Sequence, residues 1–225
     1  MITRFNCPHL KTALVVLDMQ RYFTEPSHAF ARVAASLVEG GIDQYFNRVD
    51  QTVIPNVQSL LSAFRQNVRP VLYTQFGSYL PDGADLPSWA RRLNEYSRAT
   101  FGGAMFPTFE ETSAGIDDRV KPQPGEPILR KTTSGAVASS SLEPNLRARG
   151  ITHVILTGVV TAFCVTQTAR ELADRDFDVA IVGDACASFT EAGHAAALTA
   201  FAGAYGWVVS TEEIIEALTV NKVAG

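Results

Sequence analysis

Short, almost uninterrupted runs of apolar residues recur along the chain and alternate with longer segments of helical period. Strands that helices cover on both faces lack the polar–apolar alternation of a half-exposed sheet, so these runs predict a buried parallel sheet. The predicted strands are 13–17, 70–74, 127–130, 154–157, 179–182 and 207–209. The predicted helices are 52–67, 142–149, 161–174, 191–205 and 211–218.

This alternation predicts an α/β fold: a three-layer α/β/α sandwich with a mostly parallel sheet of about six strands. We expect a single domain over residues 1–225, with insertions at about 24–50 and 76–126. The second insertion is rich in glycine and proline, and a long loop of this kind is typical of a lid or a substrate-shaping element. A surface excursion without function is the alternative.

Composition excludes several classes of protein. The 225 residues carry a net charge of −4, which gives no support for nucleic-acid binding. The amino terminus lacks the apolar core of a signal peptide, and no apolar run is long enough to span a membrane, so we expect a cytoplasmic protein without membrane partners. The three cysteines are widely spaced and include no CxxC pair, so a disulfide framework is not expected.

Three chemically useful residues follow predicted strands. Asp18 comes after the first strand, Lys131 after the third, and Cys164 lies at the start of the helix that follows the fourth. Ligands of parallel sheets bind outside the carboxyl ends of the strands, where these residues would meet. A helix start and a lysine ammonium favour a thiolate, and a carboxylate can accept the thiol proton. The alternative is a core cysteine, a turn aspartate and a surface lysine.

Three motifs decide between these alternatives. They are Val-Leu-Asp-Met-Gln at 16–20, Ile-Leu-Arg-Lys at 128–131 and Thr-Gly-Val-Val-Thr-Ala-Phe-Cys-Val at 157–165. In this order and spacing they resemble the isochorismatase-like superfamily of cysteine hydrolases. Within it, the chain resembles the group of biuret hydrolases, N-carbamoylsarcosine amidases and ureidoacrylate amidohydrolases.

The resemblance implies a catalytic role for each of the three residues. Cys164 would be the nucleophile that forms a thioester, Asp18 the general base and then the acid, and Lys131 the cation that holds both in register. It also implies a cis peptide bond between Val159 and Val160, which would turn the amides of Val160 and Cys164 towards the oxyanion.

The implied substrate is a small linear amide, such as a ureide or carbamoyl compound, that releases ammonia or an amine. Gln20 either contacts the substrate or orients the Asp18 loop, and Phe23 is either a pocket wall or core. The substrate-binding candidates are Gln20, Phe23, Tyr79, Trp89, Arg91, Arg92 and Thr161. The resemblance also makes a homodimer or homotetramer plausible. The alternatives are a silent member that binds a metabolite or a protein, and a hydrolase that cleaves a non-amide or ring-amide bond.

No cofactor is expected. Metal-binding nicotinamidases of the superfamily carry an aspartate and paired histidines after the second strand, whereas residues 73–79 here contain no histidine. We therefore predict that prolonged chelation leaves activity unchanged and that added zinc, manganese or iron does not raise it. Elemental analysis alongside the activity assay tests this, and loss of activity that follows removal of a stoichiometric metal would contradict it.

Overall fold

The apolar runs form one parallel sheet of six strands. The computed structural model describes residues 5, 7, 8 and 11–220. The strands are β1 (Thr12–Leu17), β2 (Val71–Phe76), β3 (Ile128–Lys131), β4 (His153–Val159), β5 (Asp178–Ala187) and β6 (Trp207–Val209). Every paired strand runs parallel to its neighbour, which confirms the predicted fold class.

Helices cover both faces of this sheet. They are α1 (Arg21–Thr24), α2 (Ala29–Leu37), α3 (Asp43–Arg48), α4 (Ile54–Gln66), α5 (Ser88–Phe101), α6 (Leu142–Ala148), α7 (Thr166–Ala173), α8 (Glu191–Phe201) and α9 (Thr211–Val220). Two π-helical segments, Val49–Val53 and Thr161–Val165, precede α4 and α7. No helix in the described part of the chain is long and apolar enough to cross a membrane.

The residues of β1 alternate between two hydrophobic cores. Leu14 and Val16 pack into the core that α2, α4 and α9 cover. Ala13, Val15 and Leu17 pack into the core that α6, α7 and α8 cover. Because both faces of the strand are buried, all its positions are apolar or neutral, and this explains the uninterrupted run in the sequence.

The strand order β3-β2-β1-β4-β5-β6 places the reversal of the chain between β1 and β4. The first half of the chain builds outward from β1 in one direction, and the second half starts at β4 on its other side. A crevice forms outside the carboxyl ends of the strands at such a reversal. The residues that follow β1 and β4 therefore border this crevice.

The segment 76–126 is less loop-rich than the sequence analysis expected, because it contains the 14-residue helix α5. The buried positions of α5 are Ala90, Asn94 and Ser97, which include two polar residues and so hide the apolar period. The Asn94 amide donates to the carbonyl of Phe106 and accepts from its N–H. The Ser97 hydroxyl donates to the carbonyl of Gly103. The segment 24–50 likewise contains α2 and α3.

Gly158 is required by the close approach of β4 to β1. Its φ is +111°, and a Cβ atom there would lie 2.1 Å from the carbonyl oxygen of Leu17. A side chain at this position would push β4 away from β1. Asp18 directly follows β1, and Cys164 lies in the turn after β4. The glycine of the third motif thus serves the geometry of the crevice.

We predict that Asn94→Ala destabilises the protein by about 1–3 kcal/mol, because it leaves a buried backbone N–H and carbonyl of Phe106 unpaired. Urea unfolding measures the change. Glu95→Ala, at an exposed position of the same helix, is the control and should change stability by less than about 0.5 kcal/mol. Equal effects of the two substitutions would contradict the role given to Asn94.

Candidate active site

A buried ion pair lies at the carboxyl edge of the sheet. The Lys131 Nζ is 2.8 Å from the Asp18 Oδ2, and neither side chain is exposed to solvent. The ammonium also donates to the carbonyls of Thr133 and Ser134, at 3.0 and 2.8 Å. It lies 4.7 Å from the centre of the Phe76 ring. Burial acts to lower the pKa of Lys131, but the negative charges beside it outweigh burial and raise it, so the lysine is a cation.

The Asp18 carboxylate is held from two sides. Its Oδ1 accepts a 2.6 Å hydrogen bond from the hydroxyl of Thr74 in β2, and its Oδ2 faces Lys131. The backbone of Asp18 is left-handed, with a φ of 52°, as the chain turns out of β1. The Asp18 carboxylate also raises the pKa of the Cys164 thiol. Thr74 was missed as a site residue, because a threonine inside a strand gives no sequence signal of such a role.

The Cys164 thiol completes the group. Its Sγ lies 3.4 Å from the Lys131 Nζ and 3.9 Å from the hydroxyl of Ser134. Burial is the main influence and raises the pKa of Cys164 to about 11; Lys131 and Ser134 lower it, and Asp18 raises it. The lysine lowers the thiol pKa as expected, but the resulting pKa is raised and not lowered. The thiol is protonated at neutral pH, because burial and the Asp18 carboxylate outweigh the lysine.

The backbone before Cys164 has the geometry expected at this position. The peptide bond between Val159 and Val160 is cis. The first turn after it is π-helical, and the carbonyl of Val160 accepts hydrogen bonds from the amides of Phe163 and Val165. Val160 and Cys164 both border the pocket described below.

Thr161 holds the start of this turn and does not line the pocket. Its hydroxyl lies 2.9 Å from the His194 Nδ1, and the His194 Nε2 lies 3.1 Å from the Arg48 Nη2. Since arginine only donates, the Nε2 accepts and the Nδ1–H donates to Thr161. Burial first, and then the Arg48 charge, lower the pKa of His194, which is thus neutral. Thr161 thus contacts His194 and lies outside the pocket lining, so its predicted substrate contact stays a prediction.

A pocket of about 380 Å³ opens above the thiol. Phe23 and Trp89 line it as expected, so Phe23 is part of the wall as well as of the core. Helices α2 and α5 contribute Phe30, Leu37, Trp89 and Leu93, so both inserted segments shape the pocket. The remaining lining residues are Phe76, Met105, Phe106, Ser134, Val160, Phe163, Cys164 and Phe189. Most of these were not singled out from the sequence, because apolar residues of a wall and of a core look alike.

Gln20 is not a pocket residue. Its amide nitrogen donates to the carbonyls of Phe76 and Ala114, and its amide oxygen accepts from the N–H of Phe76. These bonds tie the segment after β1 to the end of β2. The second of the two sequence alternatives, in which Gln20 orients the Asp18 loop, is the one that the geometry favours.

Three other candidates also lie outside the pocket lining. The Tyr79 side chain is exposed and its ring lies 4.7 Å from that of Phe109. Arg91 donates to the carbonyl of Leu86, and Arg92 is exposed on the same helix. The helical turn of α5 directs Trp89 and Leu93, and not the arginines, to the pocket, so the predicted substrate contacts of these three residues stay predictions. Among the described residues, no group of three or more His, Cys, Asp or Glu side chains is placed to hold a metal ion.

The family model for the isochorismatase domain matches residues 12–213. This chain belongs to the isochorismatase family of hydrolases. The match covers all six strands and includes Asp18, Lys131 and Cys164, and it confirms the family resemblance of the three motifs.

Several relatives of this family member have named activities. The ureidoacrylate amidohydrolase RutB of Methylobacterium radiotolerans is 26% identical over 220 residues, which cover 95% of this chain and 81% of the relative. RutB of Pseudomonas syringae pv. syringae is 30% identical over 217 residues, which cover 90% and 82%.

Solved structures share the fold. A cysteine hydrolase from Pseudomonas syringae pv. phaseolicola superposes with a TM-score of 0.80 at 24% identity, covering 97% of both chains. The N-carbamoylsarcosine amidase of Thermoplasma acidophilum gives a TM-score of 0.65 at 22% identity, covering 90% of this chain and 97% of the amidase. At these identities the likeness concerns the fold.

We predict that Asp18→Asn lowers the pKa of the Cys164 thiol from about 11, because a negative charge that raises it is removed while Lys131 remains. Alkylation of Cys164 by iodoacetamide should then become faster at pH 8, measured by peptide mapping against the buried Cys186. Ser134→Ala should act in the opposite direction, because its hydrogen bond lowers the thiol pKa. Slower alkylation in Asp18→Asn would contradict this electrostatic assignment.

Proposed function

We propose that this protein is a cysteine-dependent amidohydrolase that cleaves the C–N bond of a small amide through a thioester intermediate. The observation that carries the proposal is the contact of one buried ammonium with both other groups. The Lys131 Nζ lies 2.8 Å from the Asp18 carboxylate and 3.4 Å from the Cys164 sulfur, and Cys164 lines the pocket. This arrangement joins a nucleophile, a base and a fixed cation.

The first half of the reaction is acylation of the thiol. The sulfur attacks the carbonyl carbon while its proton moves to Asp18. Because burial and the Asp18 charge raise the pKa of the Cys164 thiol, we assign this transfer to the same step as the attack. We assign the amides of Val160 and Cys164 as donors to the oxyanion. Asp18 then gives the proton to the leaving nitrogen, the C–N bond breaks, and ammonia or an amine departs.

The second half is hydrolysis of the thioester. Water attacks the acyl carbon as Asp18 takes one of its protons, and the carbon–sulfur bond breaks. The carboxylic acid leaves, and the proton on Asp18 returns to the sulfur. Lys131 remains a cation throughout, since its N–H groups are engaged with Asp18, Thr133 and Ser134. Its charge offsets the negative charge that moves between the carboxylate and the sulfur.

A linear ureide or carbamoyl substrate is supported by the activity named for the RutB relatives. The side chains that the sequence analysis expected to bind the ureide do not support it, because Gln20, Arg91 and Arg92 lie outside the pocket lining. The ureide therefore stays a second candidate within the amidohydrolase proposal. An ammonia-release assay with amides, ureides and ring amides separates these substrates from each other and from a silent binding protein.

The location and assembly expected from the sequence are separate proposals. Cytoplasmic location remains a prediction that fractionation of the source cells tests. A homodimer or homotetramer remains a prediction that light scattering of the purified protein tests, with a monomer as the contradicting result.

We predict that Cys164→Ala lowers turnover of any amide by a factor of about 10⁴ or more, because no other group replaces a covalent nucleophile. Cys164→Ser should be comparably inactive. The matched control is Cys186→Ala, a fully buried cysteine that does not line the pocket and should keep most of the activity. Thermal unfolding checks that each variant is folded. A Cys164→Ala protein that kept more than a few per cent of the rate would rule out the covalent mechanism.

A further inference from the structure

The walls of the pocket above Cys164 are almost entirely apolar. Eleven of its thirteen lining residues are aromatic or aliphatic, and the two polar ones are Ser134 and Cys164 itself. The side chains of Phe76, Trp89 and Phe106 are in mutual contact, with ring centres 5.0 to 6.0 Å apart, and form one continuous aromatic surface. A bound molecule therefore meets hydrocarbon on every side except at the reacting group.

Charged partners are missing from this lining. The Lys131 ammonium lies 3.4 Å from the Cys164 sulfur and is already bound to Asp18 and to two backbone carbonyls. Arg48 is bound to the carbonyl of Cys186 and to Glu191, behind the turn that carries the nucleophile. Among the residues that line the pocket, none is an arginine or a lysine. A carboxylate on the substrate would thus be buried without a counter-charge, which is strongly unfavourable.

Neutral polar groups of a substrate would also lack hydrogen-bond partners in this pocket. A ureide carries further N–H and carbonyl groups beyond the bond that is cleaved, and each needs a partner when it leaves water. Ser134 is the one hydroxyl in the lining, and it lies within 3.9 Å of the Cys164 sulfur. It can therefore serve the reacting carboxamide but not a distant polar group. Each polar atom beyond the amide therefore makes the binding free energy of the substrate less favourable.

We infer that the substrate is an uncharged amide whose acyl group is hydrophobic, an alkyl or arylalkyl chain. This inference rests on the proposed amidohydrolase function and specifies the substrate of the same site. A volume of about 380 Å³ is near the lower end of small-molecule pockets, about 300–1,000 Å³, and limits the acyl group to a short chain or a single ring. Helices α2 and α5 set this specificity, since they supply Phe30, Leu37, Trp89 and Leu93.

The test is a substrate series with the intact protein, followed by ammonia release. From propanamide to hexanamide, kcat/KM should rise by about fourfold for each methylene buried. Pentanamide and phenylpropanamide should exceed biuret by roughly tenfold or more. Succinamate has a length similar to that of pentanamide but ends in a carboxylate, and it should be the poorest substrate. A flat series, or a rate for biuret or succinamate equal to that for pentanamide, would overturn the inference.

A pair of variants checks that the wall is responsible. Trp89→Gln introduces a polar group into the aromatic surface and should reduce the dependence of kcat/KM on chain length. Trp89→Phe keeps the wall apolar and should retain most of that dependence. The same slope in Trp89→Gln as in the wild type would contradict the role of the wall.

Binding to Cys164→Ala separates this inference from the proposed function. Calorimetry should show that hexanamide binds more tightly than butanamide, and that succinamate does not bind. If the wild type hydrolysed no amide but this order of binding held, the proposed reaction would fail and the apolar specificity would stand. If amides were hydrolysed but binding did not increase with chain length, the specificity would fail and the proposed reaction would stand.

Discussion

The buried ion pair between Asp18 and Lys131 is the interaction on which the site depends. Removing two charges from water costs several kcal/mol per ion, and only good geometry with additional hydrogen bonds offsets that cost. Those bonds come from the hydroxyl of Thr74 and from the carbonyls of Thr133 and Ser134. Asp18 follows β1 and Thr74 lies in β2. Lys131 ends β3, and the two carbonyls come from the segment after it. Correct pairing of these three strands is therefore a condition for a stable pair.

The same ion pair influences the pKa of the Cys164 thiol. A cation and an anion that lie side by side largely cancel, so Cys164 experiences little net positive charge. Burial then prevails, and the pKa of its thiol rises to about 11. A raised thiol pKa lowers the fraction of the reactive thiolate.

Chemistry and recognition come from different parts of the chain. The ends of the strands supply the polar groups, whereas the inserted helices α2 and α5 supply apolar walls. These walls exclude water, and a low local dielectric strengthens the interaction of fixed dipoles and charges with a developing oxyanion. The inserted segments therefore shape the pocket without contributing to the group of Asp18, Lys131 and Cys164.

The pattern along the chain was sufficient to predict the parallel sheet and to select Asp18, Lys131 and Cys164 as candidate site residues. Strand periodicity is a local property, and a motif fixes the position of Asp18 or Cys164 relative to its own strand. It did not reveal α5, whose buried face is partly polar, nor Thr74 and Ser134, which reach the site through space. The direction of Arg91, the apolar walls and the raised thiol pKa were decided by tertiary structure alone. These three properties depend on residues that are distant along the chain, so a local sequence pattern does not predict them.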